Sequence, residues 1–120
     1  MSATYDTRRA KVVIEIAATF FDVPTEGIYS KRRNARNEHA RFAAYYLLRE
    51  EMGLSYPQIA HAVRRHDHTS AWSGVHRCKA LMTTEPGYLR RLRAAWEATK
   101  GIPDHAERVG TIISGKWRAP

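Results

Sequence analysis

Apolar residues recur every three or four positions along most of the chain, which is the spacing of an amphipathic helix. The clearest case is the segment 38–52, whose apolar stripe is followed by a helix-terminating Gly53. The same spacing predicts four further helices and one short helical turn, over residues 8–21, 25–29, 57–64, 67–82 and 88–100. No segment shows the alternation typical of a strand. We therefore predict an all-α fold, a small domain of about five to six helices.

Two of the predicted helices begin at polar capping residues. Ser55 and Gln58 have the spacing of a capping box. The tetrad Asp67–Ser70 begins the next helix directly after the basic residues Arg64–His66, and short polar side chains satisfy the free N–H groups of a first turn. Two short helices joined by a tight turn predict a helix-turn-helix. A corner between two helices in any helical bundle has the same pattern, so periodicity alone leaves both interpretations open.

Length and composition predict one domain with two short flanking segments. The chain has 120 residues and is 43% hydrophobic, which suits a single globular core. We expect residues 1–7 to be a flexible N-terminus, residues 8–100 to form the helical domain, and residues 101–120 to be a basic C-terminal tail.

The charge balance predicts a polyanionic partner. The formal net charge is +8, and residues 30–36 form a basic loop with no apolar period. No apolar run reaches the roughly 18–20 residues that span a bilayer, and the N-terminus has no signal-peptide pattern. The single cysteine, Cys78, excludes an internal disulfide. The charge alone leaves nucleic acid and an anionic membrane open as partners, and the single cysteine fits a reducing cytoplasm. The basic turn and the basic loop beside the predicted helix-turn-helix favour nucleic acid, so we expect a cytoplasmic, nucleoid-associated protein that binds no membrane.

Two sequence patterns, one typical of a phosphate-binding loop and one of a metal site, are incomplete. Residues 110–117 nearly match a phosphate-binding loop, but Trp117 stands where Ser or Thr would hold magnesium. Four histidines and one cysteine lie close together in sequence without paired ligand spacing, namely His61, His66, His68, His76 and Cys78. We expect no cofactor, no metal site and no enzymatic activity, and we interpret Cys78 as a small core residue.

Several blocks of residues, in order and in spacing, resemble the C-terminal DNA-binding domains of the bacterial DnaA replication initiators. The blocks are Ser30-Lys31-Arg32-Arg33, Ala40-Arg41, Tyr46-Leu47-Leu48-Arg49-Glu50, Leu54-Ser55-Tyr56-Pro57-Gln58-Ile59 and Asp67-His68-Thr69-Ser70. The resemblance runs from about residue 12 to residue 81. It implies a Trp-repressor/DnaA domain IV-like fold, with a helix-turn-helix and a basic loop that read an asymmetric nine-base-pair box.

The resemblance also implies a role for individual residues. The residues implied to contact bases are Arg33 from the basic loop in the minor groove, and Tyr56, Pro57, Asp67, His68, Thr69 and Ser70 at the major groove. The residues assigned to phosphates are Lys31, Arg32, Arg41 and Arg49, together with Arg65 in the basic turn. A guanidinium suits a narrow minor groove, an imidazole can donate to guanine or thymine, and a threonine methyl packs on a thymine methyl.

Alternatives stay open for some of these residues. Asp67 either accepts a hydrogen bond from cytosine or caps its helix. Arg41 and Arg49, which share a helix face with Tyr45, are alternatively solvated surface residues, and His68 is alternatively structural.

The sequence departs from the family pattern in three places. Arg64–His66 replaces the usual Gly-Gly-Arg, Ser70 replaces a usual threonine, and Ser73 stands where histidine is common. The chain has no room for the family's ATPase module, so we expect it to occupy DNA boxes without opening the duplex, as an excised domain or a free-standing protein.

The expected partner is double-stranded DNA with DnaA-box-like sites, bound by one molecule per asymmetric site in control of replication initiation or transcription. Replication or transcription proteins are a further class of partner. The alternative function is a protein-interaction adaptor or inhibitor with the same fold, in which Trp96 and Trp117 would matter most.

Overall fold

Six α-helices make up the part of the chain that the computed structural model describes, residues 5–32 and 34–101. In chain order they are α1 (Thr7–Phe20), α2 (Thr25–Tyr29), α3 (Ala35–Met52), α4 (Tyr56–Ala62), α5 (His68–Thr84) and α6 (Tyr88–Thr99). Within these ranges there is no strand, and the predicted all-α fold is confirmed. Most of the predicted N-terminal segment and nearly all of the predicted tail lie outside the described residues, and both stay predictions.

Helix α3 lies at the centre and contacts all five other helices. Its predicted stripe is fully buried, and consists of Ala40, Ala43, Ala44, Leu47 and Leu48. The alanines let neighbouring helices approach, while burial of each leucine contributes about 1.5–3 kcal/mol. α3 begins three residues earlier than predicted, because the Asn34 side chain accepts hydrogen bonds from the N–H groups of Arg36 and Asn37 and caps the helix there.

The contact between α3 and α5 depends on one glycine. Gly74 on α5 lies against the ring of Tyr45 on α3, and a Cβ at Gly74 would overlap that ring. Both residues are buried. Close approach of the two helices therefore requires the missing side chain, and it fixes α5 against the central helix.

Helices α4 and α5 pack together and form the predicted helix-turn-helix. The capping box at the start of α4 is present: the Ser55 hydroxyl accepts from the Gln58 N–H at 3.2 Å, and the Gln58 side chain accepts from the Ser55 N–H at 2.9 Å. Val63, fully buried, ends α4, and Arg64 then adopts a left-handed backbone with φ of 61°. This sharp reversal places the start of α5 beside α4.

Helix α6 buries Leu92 and Ala95, as its apolar spacing predicts, but Leu89 of the same predicted stripe is not buried. Leu89 is 36% exposed, whereas Tyr88 is buried and its hydroxyl donates to the His39 carbonyl at 2.8 Å. The same hydroxyl donates to the Cys78 sulfur at 3.6 Å. Cys78 is a fully buried core residue, as predicted, and burial raises the pKa of its thiol to about 12.

Candidate nucleic-acid interface

The start of α5 presents a short row of polar side chains to solvent. Asp67 is the N-cap, and its carboxylate accepts from the Thr69 N–H at 2.9 Å. This hydrogen bond holds the pKa of Asp67 below its usual range. Of the two roles left open for Asp67, the structure displays helix capping. His68 and Thr69 are exposed and Ser70 is half-buried, so the first two side chains are the most accessible to a ligand.

An arginine stacked on Tyr56 supports the first turn of α4. The Arg49 guanidinium lies over the Tyr56 ring, 4.2 Å from its centroid, and donates to the Leu54 carbonyl at 2.9 Å. Tyr56 is half-buried, whereas Pro57 is exposed. Arg49 therefore orders the segment that leads into the helix-turn-helix, and a phosphate contact from the same side chain stays a prediction.

The basic loop is held by hydrogen bonds at both ends. The Ser30 hydroxyl accepts from the Arg32 N–H at 3.0 Å, and Asn34 caps α3 at the other end. Lys31 and Arg32 are exposed. Arg33, the residue predicted to enter the minor groove, lies outside the described residues, and its role stays a prediction.

Arg41 does not fit its predicted role as a phosphate contact. Its side chain is buried, with 5% of the residue exposed, and it donates to the carbonyls of Gly27, Ile28 and Ser30 at 3.1, 2.8 and 2.6 Å. Burial lowers the pKa of Arg41, and the charge of Arg65 lowers it further. The spacing of Arg41 suggested a solvated helix face, but α2 packs over that face. Arg41 is a structural residue that supports α2 and the start of the basic loop.

Arg65 contacts the last residue of α2 and the first residue of the basic loop. Its guanidinium donates to the carbonyls of Tyr29 and Ser30 at 3.0 and 2.9 Å. The neighbouring Arg64 stacks on Tyr29, with its guanidinium carbon 4.0 Å from the ring centroid. The turn between α4 and α5 and the basic loop are therefore adjacent. Nothing in the local sequence indicates this contact, because the partners lie 35 and 36 residues earlier and are largely backbone carbonyls.

A groove between α3 and α5 adds a cation that sequence reasoning missed. Its lining includes the cations Arg65 and Arg77, the hydroxyl residues Thr69, Ser70 and Ser73, and the carboxylates Glu38 and Asp67. Arg77 is exposed and follows Thr69 and Ser73 at intervals of four residues on α5. That spacing is the signal that would have found it.

An exposed aromatic pair continues the surface from His68 along α5. Trp72 is 48% exposed, and its ring lies 4.0 Å from that of His76, centroid to centroid. Trp96, which the adaptor hypothesis invoked, is half-buried and donates its indole N–H to Glu51 at 3.0 Å. Trp117 lies outside the described residues. The aromatic surface thus continues from the polar start of α5, and Trp96 is engaged inside the domain.

Of the cations of the basic loop and α5, Arg36 is paired, with Asp22 at 3.0 Å. The other ion pairs of the described ranges join Arg9 to Glu51 and Lys100 to Glu97, and none of the three involves a residue of α5. The unneutralised cations near the basic loop and α5 are Lys31, Arg32, Arg64, Arg65 and Arg77. A surface of this kind attracts phosphate groups.

Neither a metal centre nor a membrane span is found in the described part of the chain. No three His, Cys, Asp or Glu side chains of residues 5–32 and 34–101 are grouped so that they could hold an ion. None of the six helices has the length and apolar character to cross a bilayer.

Comparison with known proteins identifies close relatives. The chain is similar to the chromosomal replication initiator protein DnaA of Aquifex aeolicus (strain VF5), with 40% identity over 58 residues, and to that of Corynebacterium jeikeium (strain K411), with 30% identity over 94 residues. These matches cover 48% and 78% of this chain but 14% and 16% of the two relatives. The chain therefore spans a small part of the length of the proteins that it resembles.

A solved structure and a family model agree with this relationship. The crystal structure of a DNA replication initiation factor matches with a TM-score of 0.67 and 25% identity, over 78% of this chain and 28% of that one. Residues 10–78, more than half of the chain, match the family described as bacterial DnaA protein helix-turn-helix. The resemblance predicted from the sequence blocks is confirmed, and the chain belongs to the bacterial DnaA helix-turn-helix family.

Proposed function

We propose that the protein binds double-stranded DNA at DnaA-box-like sequences, in control of replication initiation or transcription. The observation that carries this proposal is the contact between the α4–α5 turn and the basic loop, made by Arg64 and Arg65. Because of that contact, the turn that leads into α5 lies next to the first residue of the basic loop. An α-helix fits the major groove, and a basic segment beside it lies within reach of the adjacent minor groove.

In this proposal the start of α5 reads base edges. His68 donates to guanine or thymine acceptors, and the Thr69 methyl packs on a thymine methyl. Ser70, Tyr56 and Pro57 flank this contact. Asp67 contributes by capping the helix and so by fixing the direction of the side chains that follow it.

Phosphates are contacted by the cations that the structure leaves unneutralised. Lys31 and Arg32 serve this role in the basic loop, and Arg77 serves it on α5. Arg33 inserts into the minor groove, where a narrow A·T-rich segment concentrates negative potential. One molecule occupies one asymmetric site in the nucleoid, and affinity comes mainly from these charges.

Selection of bound sequences from random duplex DNA tests the proposal. We expect a single asymmetric motif, and we expect log affinity for it to fall with log salt at a slope of about −5 to −7 if roughly 6–8 phosphates are contacted. Arg90→Ala, an exposed cation on α6, is the matched control and should leave the motif unchanged. Recovery of no enriched motif, or an affinity that does not depend on salt, would contradict the proposal.

A further inference from the structure

We propose that Arg64 and Arg65 form a clamp that sets the position of the basic loop relative to the start of α5, and so couples minor-groove reading to major-groove reading. The inference rests on the proposed DNA binding. It assigns the two arginines the role of positioning the basic loop. In this role Arg65 binds the chain itself instead of a DNA phosphate.

The clamp contacts Tyr29 and Ser30 through two backbone carbonyls and one aromatic ring. The Arg65 guanidinium donates to two consecutive carbonyls, of Tyr29 and Ser30, at 3.0 and 2.9 Å. The Arg64 guanidinium lies over the Tyr29 ring at 4.0 Å. A planar guanidinium on two acceptors resists both rotation and displacement, which a single hydrogen bond would not.

The backbone of the turn indicates that Arg64 is held by this contact. Its φ of 61° lies in the left-handed region, which is unfavourable for a residue with a Cβ. Glycine would adopt it freely. The stacking of Arg64 on Tyr29 offsets part of that strain, since an arginine over an aromatic ring is an attractive contact. The side chain thus gives the turn a link to the loop that glycine could not provide.

A third arginine, Arg41, also binds Ser30. The Ser30 carbonyl accepts from Arg41 on α3 at 2.6 Å as well as from Arg65. The Ser30 hydroxyl in turn accepts from the Arg32 N–H at 3.0 Å. Ser30 is therefore hydrogen-bonded both to the central helix and to the helix-turn-helix. Its own hydroxyl then orders the first residues of the loop through the Arg32 N–H.

These contacts preorganise the start of the loop before DNA binds. A loop whose starting point is fixed loses less conformational freedom on binding than a free one. Removal of Arg65 should release the loop from α5, so that contacts of Arg33 contribute less while contacts of His68 are retained. Affinity for the selected motif should fall about tenfold, because the released loop must then be ordered when DNA binds.

The test compares four single variants: Arg65→Ala, Arg65→Lys, Arg64→Gly and the control Arg90→Ala. Hydrogen exchange of the Arg32 amide reports the loop without DNA, and we expect it to quicken in Arg65→Ala and less in Arg65→Lys. Arg64→Gly relieves the strained backbone and should fold at least as stably, yet its loop amide should also exchange faster. Arg90→Ala should match the unmodified protein.

A double-mutant cycle on DNA completes the test. Adding Arg33→Ala to Arg65→Ala should cost much less affinity than Arg33→Ala costs alone, whereas His68→Ala should cost the same in both backgrounds. If Arg65 is instead a phosphate contact, Arg65→Ala will reduce the salt slope by about one with loop exchange unchanged, and the clamp is overturned.

The outcomes separate this inference from the function on which it rests. A sequence preference in the unmodified protein, with additive effects of Arg33→Ala and Arg65→Ala, overturns the clamp. No sequence preference, with faster loop exchange in Arg65→Ala, overturns the proposed function and supports the contact that the clamp makes.

Discussion

The two parts of the proposed DNA-binding surface are held in place by different kinds of contact. The start of α5 is fixed by local capping at Asp67 and by the packing of Gly74 on Tyr45. The basic loop has no apolar side chain to bury, and its start is fixed by arginines that donate to backbone carbonyls between 11 and 36 residues earlier in the chain. The helix is thus positioned by core packing, whereas the polar loop beside it depends on a few long-range hydrogen bonds.

Gly74→Ala should have the largest effect, because it attacks the packing that positions α5. A Cβ would overlap the buried Tyr45 ring, and we expect the free energy of unfolding to fall by about 3 kcal/mol. Urea-induced unfolding measures this, with the exposed Lys79→Ala on the same helix as control. Equal stability of the Gly74 variant and the control would mean that α3 and α5 do not pack as described.

Arg41→Met should have the next largest effect, because Arg41 supports the start of the basic loop. Methionine replaces the buried methylene groups but leaves the carbonyls of Gly27, Ile28 and Ser30 without their donor. We expect a loss of about 2 kcal/mol in the free energy of unfolding. Calorimetric melting of this variant beside Arg36→Met, an exposed α3 arginine, checks it; a loss no greater than that of Arg36→Met would refute the structural role.

Lys31→Ala should have a smaller effect, on affinity alone. Lys31 is exposed, so its removal should weaken binding to all DNA sequences by a similar factor and reduce the salt slope by about one. Titration of the selected motif and of a scrambled duplex at several salt concentrations measures both quantities. A change in the ratio of the two affinities would assign Lys31 to base reading instead.

The smallest effect concerns pH and the Asp67 cap. The Thr69 N–H holds the pKa of Asp67 below its ordinary value of 3.8, so the ionised cap stabilises the fold above that pH. The stabilisation is lost as the pH falls through the depressed pKa. Asp67→Asn keeps a capping oxygen but does not titrate, so its stability should approach that of the unmodified protein as the pH falls below 3.8. Urea unfolding across this range measures it, and a difference that stays constant with pH would contradict the capping role.

Features with local signals in the sequence were predictable, and contacts over long distances were not. The capping box of Ser55 and Gln58 and the cap at Asp67 join residues two or three positions apart, so their spacing is visible in the chain. Arg41 and Arg65 have the same charge as the loop residues but bind main-chain carbonyls, which every residue carries. No sequence pattern therefore separates these two arginines from cations that face solvent.

Apolar periodicity also failed to predict the exposure of Leu89 on α6. Leu89 follows the helical pattern but is exposed, because Gly87, with φ of 84°, and the hydrogen bond from Tyr88 to His39 set which face of the helix turns inward. The apolar spacing alone fits either rotation. In the candidate site, the spacing of Thr69, Ser73 and Arg77 was present in the sequence and would have added Arg77.

The start of α5 is proposed to read base edges, and the substitution His68→Ala tests that role. The measurement is the ratio of affinities for the selected motif and for its scrambled form, taken at one salt concentration with Lys79→Ala, an exposed residue further along the same helix, as the control. We predict that the ratio for His68→Ala falls by a factor equivalent to about 1–3 kcal/mol, while binding to the scrambled duplex changes little. An unchanged ratio would contradict the account.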